Sequence, residues 1–339
     1  MEAIMKLLTI CIPCYNAIEY MHKALGSCLL LKDELEVIII DKNSTDETYE
    51  VAMEYQNEYP DTFKVIKNTE NIDDIKCAYQ YTTGLYFKLL NSYDWFDQAS
   101  LVRVIETLKD IIRVQANLDV LVTDYFCCYG KRPRKVSYRS LLPSDKIFGW
   151  HEIKHFKKQQ YLLTPALIIK TKIIKEVIDN FPLNATFYME MFAYAPLPYI
   201  RSFCYIDMPL YCFGRNPFEN VINNDIFIPA LLDTAREYID YYDIYTLRSR
   251  KQRHYMIKYL SMITLITCAL LSHDGSPESI QDKDDLWSYL KYTKPKLYKE
   301  LRKTTYGRLF SIEGRLSKNI IDKAYNVILK LHMDAYSRL

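Results

Sequence analysis

Glycine is scarce, with eight in 339 residues. None falls in a GxGxxG or GxxxxGK[ST] pattern, which argues against a dinucleotide-binding turn or a P-loop. An excess of either charge is missing too: 44 basic residues face 42 acidic ones, for a net charge of +2. Nothing in that balance draws the chain to nucleic acid, and no nucleic-acid partner is expected. No run reaches the ~18–20 apolar residues of a membrane span, and the nearest, residues 259–272, reads as a buried helix. Residues 1–6 lack the apolar core of a signal peptide. The nine cysteines are odd in number and scattered, as expected of reduced thiols in a cytoplasmic chain. Cys11 and Cys14 form a CxxC without a second pair or a thioredoxin-type helix start, so their place at a strand end accounts for both. What the chain has is apolar mass: 49% of its residues are hydrophobic. That is enough for a sizeable core in two domains, or in one large domain with an appendage.

The first two thirds alternate strand and helix signals. Residues 7–13, 36–41, 63–68, 86–91 and 119–128 read as strands. Helices are expected from Asn16, acting as a cap, to about Leu31, and over 73–81 and 101–113. Ser44 and Glu47 form a capping box ahead of another helix, on which Thr48, Val51, Ala52, Tyr55 and Tyr59 share one face. This alternation predicts a mostly parallel α/β sheet flanked by helices. Residues 130–150 are basic and turn-rich and read as a mobile loop, and 161–179 as a strand and a helix. From about residue 225 the pattern is helical, with candidate helices at 225–248, 252–273, 283–292 and 312–333. The Asn216-Pro217 turn and the polar stretch 220–225 set a boundary, giving domains at 1–220 and 221–339.

Three strands stop abruptly in polar turns: TICIPCYN (9–16), EVIIIDKNSTD (36–46) and KLLNSYDWFD (88–97). Polar groups at the carboxyl ends of strands are where open α/β sheets bind ligands. Further along stand FYMEMF (187–192) and PLYCFGR (209–215). Taken alone, Pro13, Tyr15 and Asn16 also fit a capped helix start with a packed tyrosine. Ser44, Thr45 and Asp46 fit helix capping, and Glu190 fits a helix start.

In order and spacing these segments resemble the family 2 inverting glycosyltransferases of GT-A fold. The resemblance covers about residues 6–217. It implies that Pro13, Tyr15 and Asn16 border a nucleotide, with Tyr15 stacking on the base. It implies that Asp41 accepts the N3–H of uracil or thymine, a contact a carboxylate can make and cytosine cannot offer. Asn91 and Tyr93 replace two acids of the family's D-x-D-D, while Asp94 remains to hold Mn²⁺ or Mg²⁺, with the diphosphate and water completing the shell. Glu190 matches the acid that deprotonates the acceptor, with Met189 in place of its usual acidic neighbour. Arg215 matches a diphosphate-binding arginine. The arginine segment usual before the strand at 86–91 is absent from 70–84, and Lys76 is the nearest cation there.

The expected activity is transfer from a UDP- or dTDP-sugar, with inversion, to a cell-surface polysaccharide or lipid-linked oligosaccharide. The altered acidic positions leave a second reading open, an inactive scaffolding subunit of a glycan-assembly complex, and transfer to protein is a third. Residues 291–308 hold seven basic residues and one acidic residue. They suit either a solvated helix face or peripheral contact with an anionic membrane at its inner face. The apolar helix near 259–271 suits intramolecular packing or a homodimer seam.

Overall fold

The computed structural model describes residues 6–69, 73–128, 132–154, 156, 160–180, 192–214 and 227–337. Its contacts divide into two units, Met1–His155 with Leu162–Pro217, and Phe156–Tyr161 with Phe218–Leu339.

The first unit is built on one sheet. Its strands are β1 (Leu8–Cys14), β2 (Leu35–Asp41), β3 (Phe63–Lys67), β4 (Tyr86–Leu89), β5 (Trp95–Phe96), β6 (Val120–Cys127), β7 (Arg134–Val136), β8 (Ile147–Gly149), β9 (Leu167–Lys170) and β10 (Ser202–Phe213). The order is β3-β2-β1-β4-β9-β6-β10-β5, with β7 on β6 and β8 on β10. β1 to β4 run parallel. β9 is antiparallel to both β4 and β6, so β6 and its parallel neighbour β10 point the same way as β4. The carboxyl ends of β1, β2, β4, β6 and β10 therefore share one edge. β1 is buried at every residue and β2 at all but Glu36, the pattern of parallel strands covered on both faces.

The helices of this unit are α1 (Ile18–Gly26), α2 (Thr48–Glu58), α3 (Asp74–Tyr79), α4 (Gln98–Arg113) and α5 (Thr171–Asn180). Two capping expectations are corrected. Asn16 is not the cap of α1: it lies at φ 47°, in the left-handed region, and α1 starts after Ala17. The free N–H groups there are met from the loop after β2. Asn16 N donates to Ser44 Oγ (3.1 Å), Ala17 N to Thr48 Oγ1 (2.8 Å) and Ile18 N to Asp46 Oδ2 (3.3 Å). Nor do Ser44 and Glu47 form a capping box, since α2 has no side-chain cap from Glu47. A helix start needs acceptors from somewhere, and α1 takes them from a segment 28 to 31 residues away. The basic stretch at 130–150 also differs from the expected loop, because β7 and β8 pair there with β6 and β10.

The second unit contains α6 (Phe227–Tyr241), α7 (Arg250–Asp274), α8 (Pro277–Thr293), α9 (Pro295–Leu301), α10 (Thr305–Phe310) and α11 (Lys318–Ser337). Ser249 caps α7 through Gln252 N, and Gly275, at φ 67°, ends it, the left-handed stop that glycine adopts without strain. Ser276 and Pro277 then start α8. By length and hydropathy α7 meets the requirements of a membrane span, but 72% of its apolar window is buried within the protein. That is the packing of a core helix, in contact with α6, α8 and α11. Lys258 on α7 donates to Phe156 O (3.3 Å) and Gln160 O (3.2 Å), and burial lowers its pKa to about 8. In the basic stretch 291–308, Leu297 and Leu301 turn inward while Lys291, Lys296, Lys299, Arg302, Lys303 and Arg308 are exposed, together with Tyr292 (77%). The exposed face is cationic, and its leucines belong to the core.

Candidate functional site

Asp41 closes β2, is fully buried, and receives Ser44 N at 3.3 Å on both carboxylate oxygens. Asn43, at φ 59°, lets the chain turn sharply enough to bring that N–H back; asparagine is among the few residues that tolerate this region. Asn16 is exposed, yet its side chain is engaged. Its Oδ1 accepts from Thr45 N (2.8 Å) and Thr45 Oγ1 (3.3 Å), so the ends of β1 and β2 are laced together. Pro13 is buried beside Ile40, and Tyr15 is 53% exposed at the same edge, free on its outer face to stack on a planar group. Lys42, which stands where the resembling family has an acid, pairs with buried Asp74 at 2.7 Å. Asp73 caps α3 by accepting from Lys76 N, and burial raises its pKa to about 6. The Lys76 side chain is exposed.

Asp94 is the hub of the second cluster. It is 3% exposed, and both its oxygens are engaged. Oδ1 accepts from Gly214 N (2.8 Å), and Oδ2 from Asn91 Nδ2 (3.1 Å) and the Tyr211 hydroxyl. Burial raises its pKa to about 6, against the pull of those three hydrogen bonds. Asn91 N in turn donates to the Tyr211 hydroxyl oxygen (3.1 Å). The turn after β4 is thus fastened to the end of β10. Asp97, the last residue of the W-F-D context, caps α4 by accepting from Ser100 N.

Gly214 permits this close approach. A Cβ there would lie 2.2 Å from Tyr93 O and 2.8 Å from the Trp95 ring. Gly214→Ala is therefore expected to break the bond to Asp94 and cost about 1–3 kcal/mol, read as a lower denaturation midpoint with an unchanged slope.

Whether these residues suit a divalent ion follows from the same geometry. A carboxylate offers about four lone-pair directions, and three at Asp94 are filled by protein donors. Asn91 aims an N–H at it, and the Tyr93 hydroxyl donates to Tyr15 O (3.4 Å). Among the described residues no group of three or more His, Cys, Asp or Glu side chains is placed to hold a metal. Among the described residues, those around Asp94 do not fit a divalent-ion site. Glu190 and Arg215 lie outside the described residues.

A further acidic residue at this edge escaped the sequence reading. Phe87 and Val120 both pair with Ile169, which sets Asp124 level with Asn91 across the sheet. Asp124 is fully buried, with its pKa raised by that burial. It accepts from Tyr205 (2.7 Å) and Tyr138 N (2.9 Å) and pairs with Lys135 at 2.9 Å. Lys135 also reaches Asp207 (3.1 Å), which pairs with Arg139 (3.3 Å). Asp207 stands in the irregularity of β10 between Ile206 and Pro209. The only hint in the sequence is an aspartate inside an otherwise apolar strand.

Residues 9–165, somewhat under half of the chain, match the model of Glycosyl transferase family 2. Asp41, Asp94 and Asp124 all fall inside that segment. The chain is 24% identical over 216 residues to a processive diacylglycerol beta-glycosyltransferase of Mycoplasma genitalium, which covers 58% of this chain and 59% of that protein. It is 26% identical over 119 residues to an uncharacterized glycosyltransferase of Nostoc, covering 34% and 37%. The chain thus spans less than two thirds of the length of these curated relatives. Among solved structures it is similar to S. aureus TarS 1-349, with a TM-score of 0.63 at 17% identity over 96% of this chain and 90% of that one. The same TarS portion in complex with UDP-GlcNAc gives a TM-score of 0.60 at 16% identity, over 96% and 91%. The fold is GT-A-like, a mixed α/β sheet with flanking helices and a helical carboxyl-terminal region.

Proposed function

We propose that this chain is a glycosyltransferase that moves a sugar from a UDP- or dTDP-sugar, with inversion, to a hydroxyl of a cell-surface polysaccharide or a lipid-linked oligosaccharide. The observation that carries the reading is Asp41. It is a buried carboxylate at the carboxyl end of a parallel strand, held by one backbone N–H, inside the segment that matches family 2. Such a group accepts an imide N–H and discriminates against bases that lack one. Tyr15 supplies an exposed ring beside it. In this reading Glu190 takes the acceptor proton while the nucleoside diphosphate leaves, and the planar guanidinium of Arg215 faces the diphosphate. The protein acts in the cytoplasm, at the inner face of the membrane, where the exposed cations of 291–308 meet anionic lipid.

A second reading, a nucleotide-sugar-binding subunit without transfer, is favoured by one observation: the surviving acid of the turn, Asp94, is spent on protein donors. Sugar transfer by the purified chain would exclude it.

The test of the donor is thermal stability of the full chain against UDP-, dTDP-, GDP- and CDP-sugars. At a hundred times its dissociation constant the right donor should stabilise the native state by about 2.7 kcal/mol. UDP- or dTDP-sugars are expected to do so and CDP-sugars are not. If no nucleotide sugar shifts the transition, the reading fails.

A further inference from the structure

We propose that Asp94 is a clamp and not a metal ligand, and that nucleoside-diphosphate binding to this chain needs no divalent cation. The nucleotide half of this inference rests on the donor reading above; the clamp half stands on geometry alone.

The turn Asn91–Asp94 and the end of β10 are far apart in sequence and joined here through one carboxylate. Its donors come from both sides: Asn91 Nδ2 from the turn itself, Tyr211 from β10 and Gly214 N from the residue that follows it. Asn91 N closes a second link to Tyr211. The turn is also closed internally, with Asp94 N donating to Asn91 O at 3.0 Å. A buried carboxylate with three donors is held in one orientation, because turning it away would leave those donors unmatched in an apolar setting.

A divalent cation would demand the reverse arrangement. Magnesium and manganese need several oxygen ligands around one point. Here the hydrogens of an amide, a hydroxyl and a backbone N–H converge on Asp94, and each presents positive charge to an incoming ion. Binding the ion would mean breaking bonds that hold β10 in place. The replacements at Asn91 and Tyr93 fit the clamp in a second way. Asn91 turns an acceptor position into a donor aimed at Asp94, and Tyr93 hydrogen-bonds to the backbone of Tyr15. Its ring also packs edge-on against Tyr20, with centroids 5.2 Å apart.

The experiment is calorimetric titration of the full chain with UDP, in excess EDTA and in excess Mn²⁺. The two dissociation constants should agree within roughly threefold, and tightening by about tenfold or more in Mn²⁺ would overturn the proposal. Asp94→Asn and Tyr211→Phe provide the second arm, assayed well below their melting temperatures. A clamp predicts that both variants weaken UDP binding equally in EDTA and in Mn²⁺. It also predicts that the double variant is no worse than the poorer single one, since both break the same joint. A metal ligand predicts a loss at Asp94→Asn confined to the Mn²⁺ titration, with Tyr211→Phe neutral. Should UDP bind in neither condition, the donor reading falls, and the clamp is then decided without it. An unchanged electron paramagnetic resonance signal of free Mn²⁺ on adding protein, with a lowered melting temperature for Asp94→Asn, supports it. Loss of the free Mn²⁺ signal refutes it.

Discussion

Lys88→Met should cost the protein about 3–5 kcal/mol, a large fraction of the stability of an ordinary domain. Lys88 lies in the middle of β4 and is fully buried. Its Nζ donates to Thr164 O (3.0 Å), Pro165 O (2.7 Å) and Leu167 O (3.1 Å). Burial pulls its pKa well down; the three carbonyls oppose this, because only the ammonium has a proton for each. Methionine keeps the volume and removes every donor, which strips a hydrogen bond from three buried carbonyls at once, of which Thr164 O keeps the bond from Leu167 N. Urea unfolding should show a large fall in midpoint with an unchanged slope. A loss below about 1 kcal/mol would mean that water replaces the ammonium, and the lysine would then be a filler and not a tie.

The largest effect on chemistry is expected at Glu190. Removing a general base costs about two to four orders of magnitude in turnover. Glu190→Gln should therefore lower kcat by that factor while leaving donor affinity and melting temperature close to those of the parent. The comparison needs initial rates at saturating acceptor, together with UDP titration. Intact turnover would remove Glu190 from the mechanism and direct attention to Asp124 and Asp207, two acids at the carboxyl edge of the sheet.

Much of this architecture was legible in the chain. The strands of the first unit announce themselves because both faces are covered, so their residues are apolar without interruption, and each run ends where a polar turn must begin. Asp41 could be placed at a strand end for that reason. What was not legible is who donates to whom. Asn16 looked like a cap because it precedes an amphipathic run, yet the acceptors for that helix come from Ser44, Asp46 and Thr48. Asp94 looked like a ligand because acids are visible in a sequence and their partners are not. Tyr211 and Gly214 stand 117 and 120 residues away, and nothing local predicts that they converge on it. Lys88 and Asp124 are the converse case. Each is a charge inside an apolar strand, a pattern that signals a buried partner without naming it.

The short piece Phe156–Tyr161 has a consequence for anyone who would divide this chain. It belongs with the helices although it is flanked on both sides by sequence of the sheet unit. Its ring contacts are to α7, Phe156 with Tyr255 and Tyr161 with Tyr259, and Lys258 ties its backbone there. No single cut yields two intact halves. A fragment ending at Pro217 would carry an aromatic strap stripped of its anchor, and a fragment beginning at Phe218 would present the vacated bed. In an expression trial, insolubility of either piece would report the missing strap and say nothing about whether the chemistry works.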